Sequence, residues 1–292
     1  MNKMISVEGA YDLHVHTHPC LFPRIGNDFE VVEAAEKAGL AGIMLKCHHE
    51  STVSRAEAVQ KNFEKIKVYG GIVLNDYVGG MNPYAVDAAL RMGAKEVWMP
   101  TIDAKNHAQA HGSKGKYDVQ DGRKDSGANI EGISIYNETG DIKVEVKEIL
   151  KMIAEYNVIL GTCHLGKSEI FDLVKEAKKL GVEKILITHP FFKVPNFEVP
   201  EIKELVALGA KAEFGYCTVS PMWHYATVQQ VAKAIIEIGA SNCIIISDAG
   251  QRHNPMPHES LRVFAQCLYE CGVKEELLKT IMIDNPRILV ES

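Results

Sequence analysis

The strongest constraint in this chain is a beat: a short apolar run, then a segment with helical spacing, repeated eight times. The runs are "AYDLHV" (10–15), "AGIMLK" (41–46), "KVYGGIVL" (67–74), "KEVWMP" (95–100), "NVILGTC" (157–163), "KILITH" (184–189), "AKAEFG" (210–215) and "NCIIIS" (242–247). Between them, stretches such as "FEVVEAAEKAG", "SEIFDLVKEAKKLG" and "TVQQVAKAIIEIGA" place apolar residues three and four apart. Several close on glycine, as helix C-termini commonly do. Strands alternating with amphipathic helices make a parallel sheet with crossover helices. Eight such units in 292 residues match a (β/α)8 TIM barrel. The competing architecture, a doubly wound open sheet, wants a glycine-rich phosphate loop after its first strand, and "DLHVHTHP" stands there instead. The expectation is one barrel domain over residues 1–292.

The beat breaks once, after strand four. Residues 102–143 are long, polar and glycine-rich, and a long insertion on one βα loop reads as a lid or binding loop. Within it, "ISIYNETGDIKV" reads as a small hairpin turning at "NETGD". The helix-period stretch "VEVKEILKMIAEY" then leads into strand five.

Composition excludes several function classes. A net charge of −6 gives no basic footprint for nucleic acid. No apolar run approaches the ~20 residues needed to cross a bilayer. The N-terminal "MNKMISVEGA" carries no signal-peptide core, so the expectation is a cytoplasmic protein with a small-molecule partner, homo-oligomerisation left open. Seven cysteines, an odd number without a CxxC, point to reduced thiols rather than a disulfide framework. Cys267 and Cys271 share a helix face as small buried groups.

All twelve histidines fall at strand C-termini or just beyond, which in a barrel is the mouth where active sites are built. His14, His16 and His18 follow strand one, and His48 and His49 follow strand two. His107 and His111 lie in the long loop, while His164 and His189 end strands five and six. His224 follows strand seven, and His253 and His258 follow strand eight. Residues two apart on a strand share a face, so Leu13 and Val15 turn outward and His14 and His16 turn into the barrel. The same alternation turns His164, His189 and Asp248 inward. Buried imidazoles brought together repel when charged and lack partners when neutral, unless something bridges them. Imidazole nitrogen and carboxylate oxygen suit a divalent metal, zinc first, with manganese or iron as alternatives. The expected ligands are His14, His16, His164, His189 and Asp248, around one or two ions.

This ordered set resembles the amidohydrolase superfamily of metal-dependent hydrolases: "HVH" at 14–16, "TCHLG" with His164, "ITHPF" with His189 and "ISDAG" with Asp248. "LKCHHE" and "WMPTIDAKNH" are similar to segments of a poorly characterised branch of it. The resemblance implies an enzyme that turns metal-activated water on an amide, cyclic amide or ester bond of a small molecule. It implies Asp248 as the proton shuttle. His189 is the second catalytic candidate, binding a second metal or polarising the substrate. Binuclear members often carry a bridging carboxylated lysine or a glutamate at the end of strand four, where this chain has only Thr101 and Asp103. Lys46, ending strand two, is the alternative bridge or a substrate contact; pairing with Glu50 is the plainer role.

"DLHVHT" is also similar to the start of polymerase-and-histidinol-phosphatase barrels, which are phosphoesterases. Those place a histidine two residues after the final aspartate, where "SDAGQRH" has Gly250. A metal-dependent decarboxylase and a non-catalytic metal-binding barrel are the other rivals. His48, Asp103, Asn106, His107, Arg252 and His253 are the candidate substrate contacts. Trp98 and Trp223 read as packing, and Glu213, a carboxylate inside strand seven, needs a partner.

Overall fold

The computed structural model describes residues 3–117 and 131–292. Eight parallel strands follow in chain order around a nearly closed barrel. They are β1 (Tyr11–His16), β2 (Gly42–Lys46), β3 (Lys67–Val73), β4 (Glu96–Trp98), β5 (Ile159–Gly161), β6 (Ile185–Thr188), β7 (Lys211–Gly215) and β8 (Cys243–Ile246). Every expected strand is present; β1 keeps six residues, one place later than its apolar run, and the other seven are shorter than theirs. The outer layer begins with α1 (Asp28–Lys37), α2 (Val53–Gln60), α3 (Pro83–Arg91), α4 (Lys105–His111), α5 (Val144–Glu155) and α6 (Lys167–Lys179). It continues with α7 (Val199–Ala207), α8 (Tyr216–Val219), α9 (Val228–Ile238), α10 (Pro257–Glu270), α11 (Glu275–Lys279) and α12 (Asn285–Glu291). No helix among the described residues is long and apolar enough to cross a membrane.

Local chemistry sets these boundaries. Asn27 and Glu30 form a reciprocal capping box at the start of α1, and Thr227 and Gln230 do the same for α9. Losing such a cap costs about 1 kcal/mol. Gly181, at φ 90°, makes the turn from α6 toward β6 that a side chain would strain. Strand residues are apolar on both faces because one face fills the barrel and the other meets helices. Leu13, Val15, Ile43, Leu45, Val97, Leu160, Leu186 and Ile245 are accordingly all buried.

Two departures from regular sheet position the mouth. The β1–β2 register slips between Asp12 and Val15, a bulge of one extra residue beside His14. The β8–β1 seam has no regular ladder. His16 N donates to Ala249 O (2.8 Å) above it, and Ser247 N donates to the buried Asp12 carboxylate (3.0 Å) within it. This seam sets Asp248 against the end of β1.

The insertion after β4, expected as a loop with a small hairpin, holds a helix as well. Residues Lys105–His111 form helix α4, and Ala104 bridges Ile133. The turn at 137–140 is present, closed by Gly140 N to Asn137 O (3.1 Å), with one bridge, Tyr136 to Ile142, in place of a ladder. Residues 118–130 of the expected insertion lie outside the described residues.

Candidate metal centre

Three donors converge where β1 meets the end of β8. His14 Nε2 and His16 Nε2 each lie 3.3 Å from Asp248 Oδ1, and all three side chains are buried or nearly so. Their ligand atoms fall within 4.8 Å of one another. Outer partners set which nitrogen faces inward. His16 Nδ1 meets the Lys46 carbonyl (3.1 Å), a pure acceptor, so Nδ1 carries the proton and Nε2 presents its lone pair. His14 Nδ1 lies 2.7 Å from Glu213 Oε1, and Lys46 Nζ donates to His14 Nε2 (3.0 Å); Nε2 is therefore the unprotonated nitrogen, and an ion there would take the place of the Lys46 amine on its lone pair. Two nitrogen lone pairs aimed past one carboxylate oxygen fit a cation, with the histidines oriented from behind as metal ligands usually are. Glu213 thus has its partner.

His164 and His189 stand beside this trio rather than in it. His164 Nε2 lies 3.2 Å from His189 Nε2, and the His14 and His189 ring centres are 6.2 Å apart. A relay from the insertion orients His164. His107 Nε2 donates to Lys116 O (2.6 Å), so its Nδ1 accepts from His164 Nδ1 (2.8 Å) and turns a third lone pair inward at His164 Nε2. Extrapolating strand alternation grouped all four histidines together, but β5 ends at Gly161, β6 at Thr188 and β8 at Ile246. Beyond those ends Cys163, His189 and Asp248 take left-handed φ values of 50°, 31° and 47°, which re-aim the chain. Strain of this kind gathers at functional sites.

Burial governs the electrostatics. His14, His16, His48 and His164 are held well below the ordinary imidazole range by loss of water, and His189 falls to about 3 for the same reason. Neutral imidazole is the ligating form. Burial pushes the Asp248 carboxyl up to about 7, with Lys46 and Arg24 pulling it back, and raises Glu213 to about 8.

A cavity of about 480 Å³ opens above the donors. Of the expected substrate contacts, His48, Arg252 and His253 line it. His48 stacks on His16 at 4.7 Å and its Nδ1 meets Thr101 Oγ1 (2.9 Å). Three others do not line it. Asp103 accepts from the Asp76 backbone N–H (3.0 Å), and Asn106 donates to the carbonyls of His164 and Leu165 (3.3 and 3.2 Å). His107 backs His164. The first turn of α4 runs behind the β5 loop instead of over the mouth, so Asn106 and His107 brace the His164 segment rather than face the cavity. Lys46 does not pair with Glu50, which binds Arg55 (2.7 Å). Its amine sits at His14 and 5.0 Å above the Trp98 ring.

The cavity also holds residues that pattern reading did not single out. Phe22, Tyr117 and Phe192 form aromatic walls, joined by Trp223, which the sequence reads as packing and which lines the cavity as well. Arg24, 7% exposed, lines the cavity, and its Nε and Nη2 have no hydrogen-bond partner among the described residues. In sequence, "FPRIGN" resembles any solvated loop, and nothing in it marks Arg24.

Glu213→Gln tests the outer support of His14. The substitution keeps the volume but weakens the hydrogen bond that aims Nε2, and such losses lower metal affinity about 10–100-fold. Competition against a chelator of known affinity measures it, and unchanged affinity would assign Glu213 to packing alone.

The fold has solved counterparts. The barrel is shared with an amidohydrolase from Pseudomonas aeruginosa (12% identity, 97% of this chain and 95% of that one, TM-score 0.63). It is shared with 2,6-dihydroxybenzoate decarboxylase from Rhizobium (10%, 98% and 99%, 0.58). A variant organophosphorus hydrolase from Deinococcus radiodurans also shares it (12%, 99% and 98%, 0.59). The architecture is therefore the (β/α)8 barrel found among amidohydrolase-superfamily structures. By sequence, the chain belongs to the Family of unknown function (DUF6282), whose family model matches residues 9–213. No curated protein matches it by sequence.

Proposed function

We propose that this protein is a cytoplasmic metal-dependent hydrolase that opens an ester, amide or cyclic amide bond in a small, flat, anionic substrate. The observation that carries the reading is the donor set: two Nε2 lone pairs and the Asp248 carboxylate, at the floor of a cavity at the barrel mouth. His14, His16 and Asp248 would hold the ion, zinc by donor type with manganese or iron as alternatives, and His164 and His189 offer a second position alongside. When bound, a divalent cation supplies Lewis acidity and a nucleophile at neutral pH.

The chain's own groups do the rest. Asp248, the carboxylate of the donor set, takes a proton from the attacking water and returns it to the leaving group. His189, neutral and beside the donors, meets the reacting carbonyl without adding charge. Arg24 offers its buried guanidinium to a carboxylate, with Arg252 and Lys46 adding positive charge to the same cavity. The aromatic walls favour a planar substrate.

The same Arg24 and aromatic walls support a second reading, decarboxylation of an aromatic acid. The phosphoesterase reading loses support at Gly250, whose φ is 126°. A side chain there would collide with the His16 carbonyl, so the histidine that those barrels place at this position has no room.

The test is to strip the protein with chelator, reload it with zinc, manganese or iron, and assay lactones, cyclic amides, aryl esters, aromatic acids and phosphomonoesters. Metal-restored hydrolysis of an ester or amide supports the proposal. Carbon dioxide release without water consumption would transfer it to the decarboxylase reading. No turnover with any metal would overturn both.

A further inference from the structure

The first two βα loops bring three soft ligands together outside the centre just described. Cys20 follows β1 by four residues, and Cys47 and His49 follow β2 directly. Cys20 Sγ lies 3.8 Å and Cys47 Sγ 3.9 Å from the same atom, His49 Nδ1, and all three atoms fall within 4.8 Å of one another. Cys47 is buried, while Cys20 and His49 are partly exposed, so an ion can enter from solvent.

Alternation along residues 46–49 separates this cluster from the cavity. Lys46 and His48 line the cavity, whereas Cys47 and His49 meet Cys20 instead. The distances have the scale of a shared ion. Sulfur bound at 2.3 Å and nitrogen at 2.0–2.1 Å to one tetrahedral zinc lie about 3.6 Å apart, and two such sulfurs about 3.8 Å apart. Hydrogen bonds among the three groups, Cys20 with Cys47 included, hold them together, and one cation can take the place of all of these bonds at once.

We propose that Cys20, Cys47 and His49 form a second metal site, of the zinc class, with a fourth position open to water. Thiolate and imidazole together select zinc or another soft ion over magnesium or calcium. The ion would tie the β1 loop to the end of β2. Phe22 lies between the two sites, its ring 5.3 Å from His49 and 5.7 Å from His48, and Arg24 is two residues further along the same loop. The ion's role is to hold the wall that carries Phe22 and Arg24 against the substrate cavity.

Cobalt(II) titration of the chelator-stripped full chain separates the two sites, because the donor set His14, His16 and Asp248 offers no sulfur whereas this one offers two. Wild type is expected to show a thiolate-to-cobalt charge-transfer band that saturates at one equivalent of its site. Cys20→Ser and Cys47→Ser should each abolish the band, and His49→Ala should weaken binding at least tenfold. His16→Ala should leave the band in place, which makes the result independent of the proposed hydrolase site. Circular dichroism of each variant checks that the barrel is folded. Cobalt uptake by wild type with no sulfur band would overturn the proposal, as would a band that survives in both serine variants. A disulfide between Cys20 and Cys47 that persists under reductant would overturn it too.

Discussion

Asp248→Asn is expected to lower kcat about 10²–10⁴-fold, the range for losing a positioned proton acceptor, while the protein keeps its metal. The amide retains an oxygen where Asp248 Oδ1 stands, 3.3 Å from both His14 Nε2 and His16 Nε2, so a donor remains to complete the set. What disappears is the ability to accept a proton, and an amide does not regain it at any working pH. The left-handed backbone at residue 248 (φ 47°) also tolerates asparagine, so the loop keeps its course. Elemental analysis beside steady-state kinetics on the substrate found in the panel decides the outcome. Full activity with full metal would remove Asp248 from proton transfer. Loss of both together would leave it as a ligand only.

The second large effect is expected at His16. His16→Ala removes one of three converging donors, and the affinity lost should exceed the 10–100-fold that a missing outer partner costs. Activity should fall to the level of the stripped protein and return only at high added metal. His16 is a cleaner choice than His14. Its outer partner is the Lys46 carbonyl at the end of a strand, whereas removing His14 strands the buried Glu213 carboxyl without its 2.7 Å contact. An unsatisfied buried group of that kind costs about 1–3 kcal/mol or more, which would mix a folding defect with the metal defect. His253→Ala, a change at the cavity wall outside the donor set, should leave metal content unchanged. Stoichiometric metal in His16→Ala would dismiss the site.

The legibility of this chain divides along physical lines. β1 was readable because Leu13 and Val15 alternate with two histidines, and a period of two is a local property of the backbone. The convergence of His14, His16 and Asp248 was readable because strand ends in a barrel share one mouth. His164 and His189 were read into the same cluster because alternation was carried past Gly161 and Thr188. The left-handed residues Cys163 and His189 lie beyond those ends, and no periodicity encodes them. Asn106 and His107 were expected in the cavity because polar loop residues beside an active site commonly face it. The short helix α4 carries them behind His164, a placement set by packing against the β5 loop.

Arg24, the aromatic walls and the Cys20–Cys47–His49 cluster share one reason for escaping a linear reading. Each depends on which loops become neighbours, and loop residues obey no period. The sequence by itself determined the barrel, the order of its strands and the concentration of histidines at one end, because hydrophobic period and strand–helix alternation are written locally. The tertiary structure alone decided which imidazoles lie within reach of Asp248, which stand behind or beside them, and what lines the cavity. Those choices turn on closure of the β8–β1 seam and on strand-end turns of a few residues, where an ångström-scale shift redirects a whole side chain.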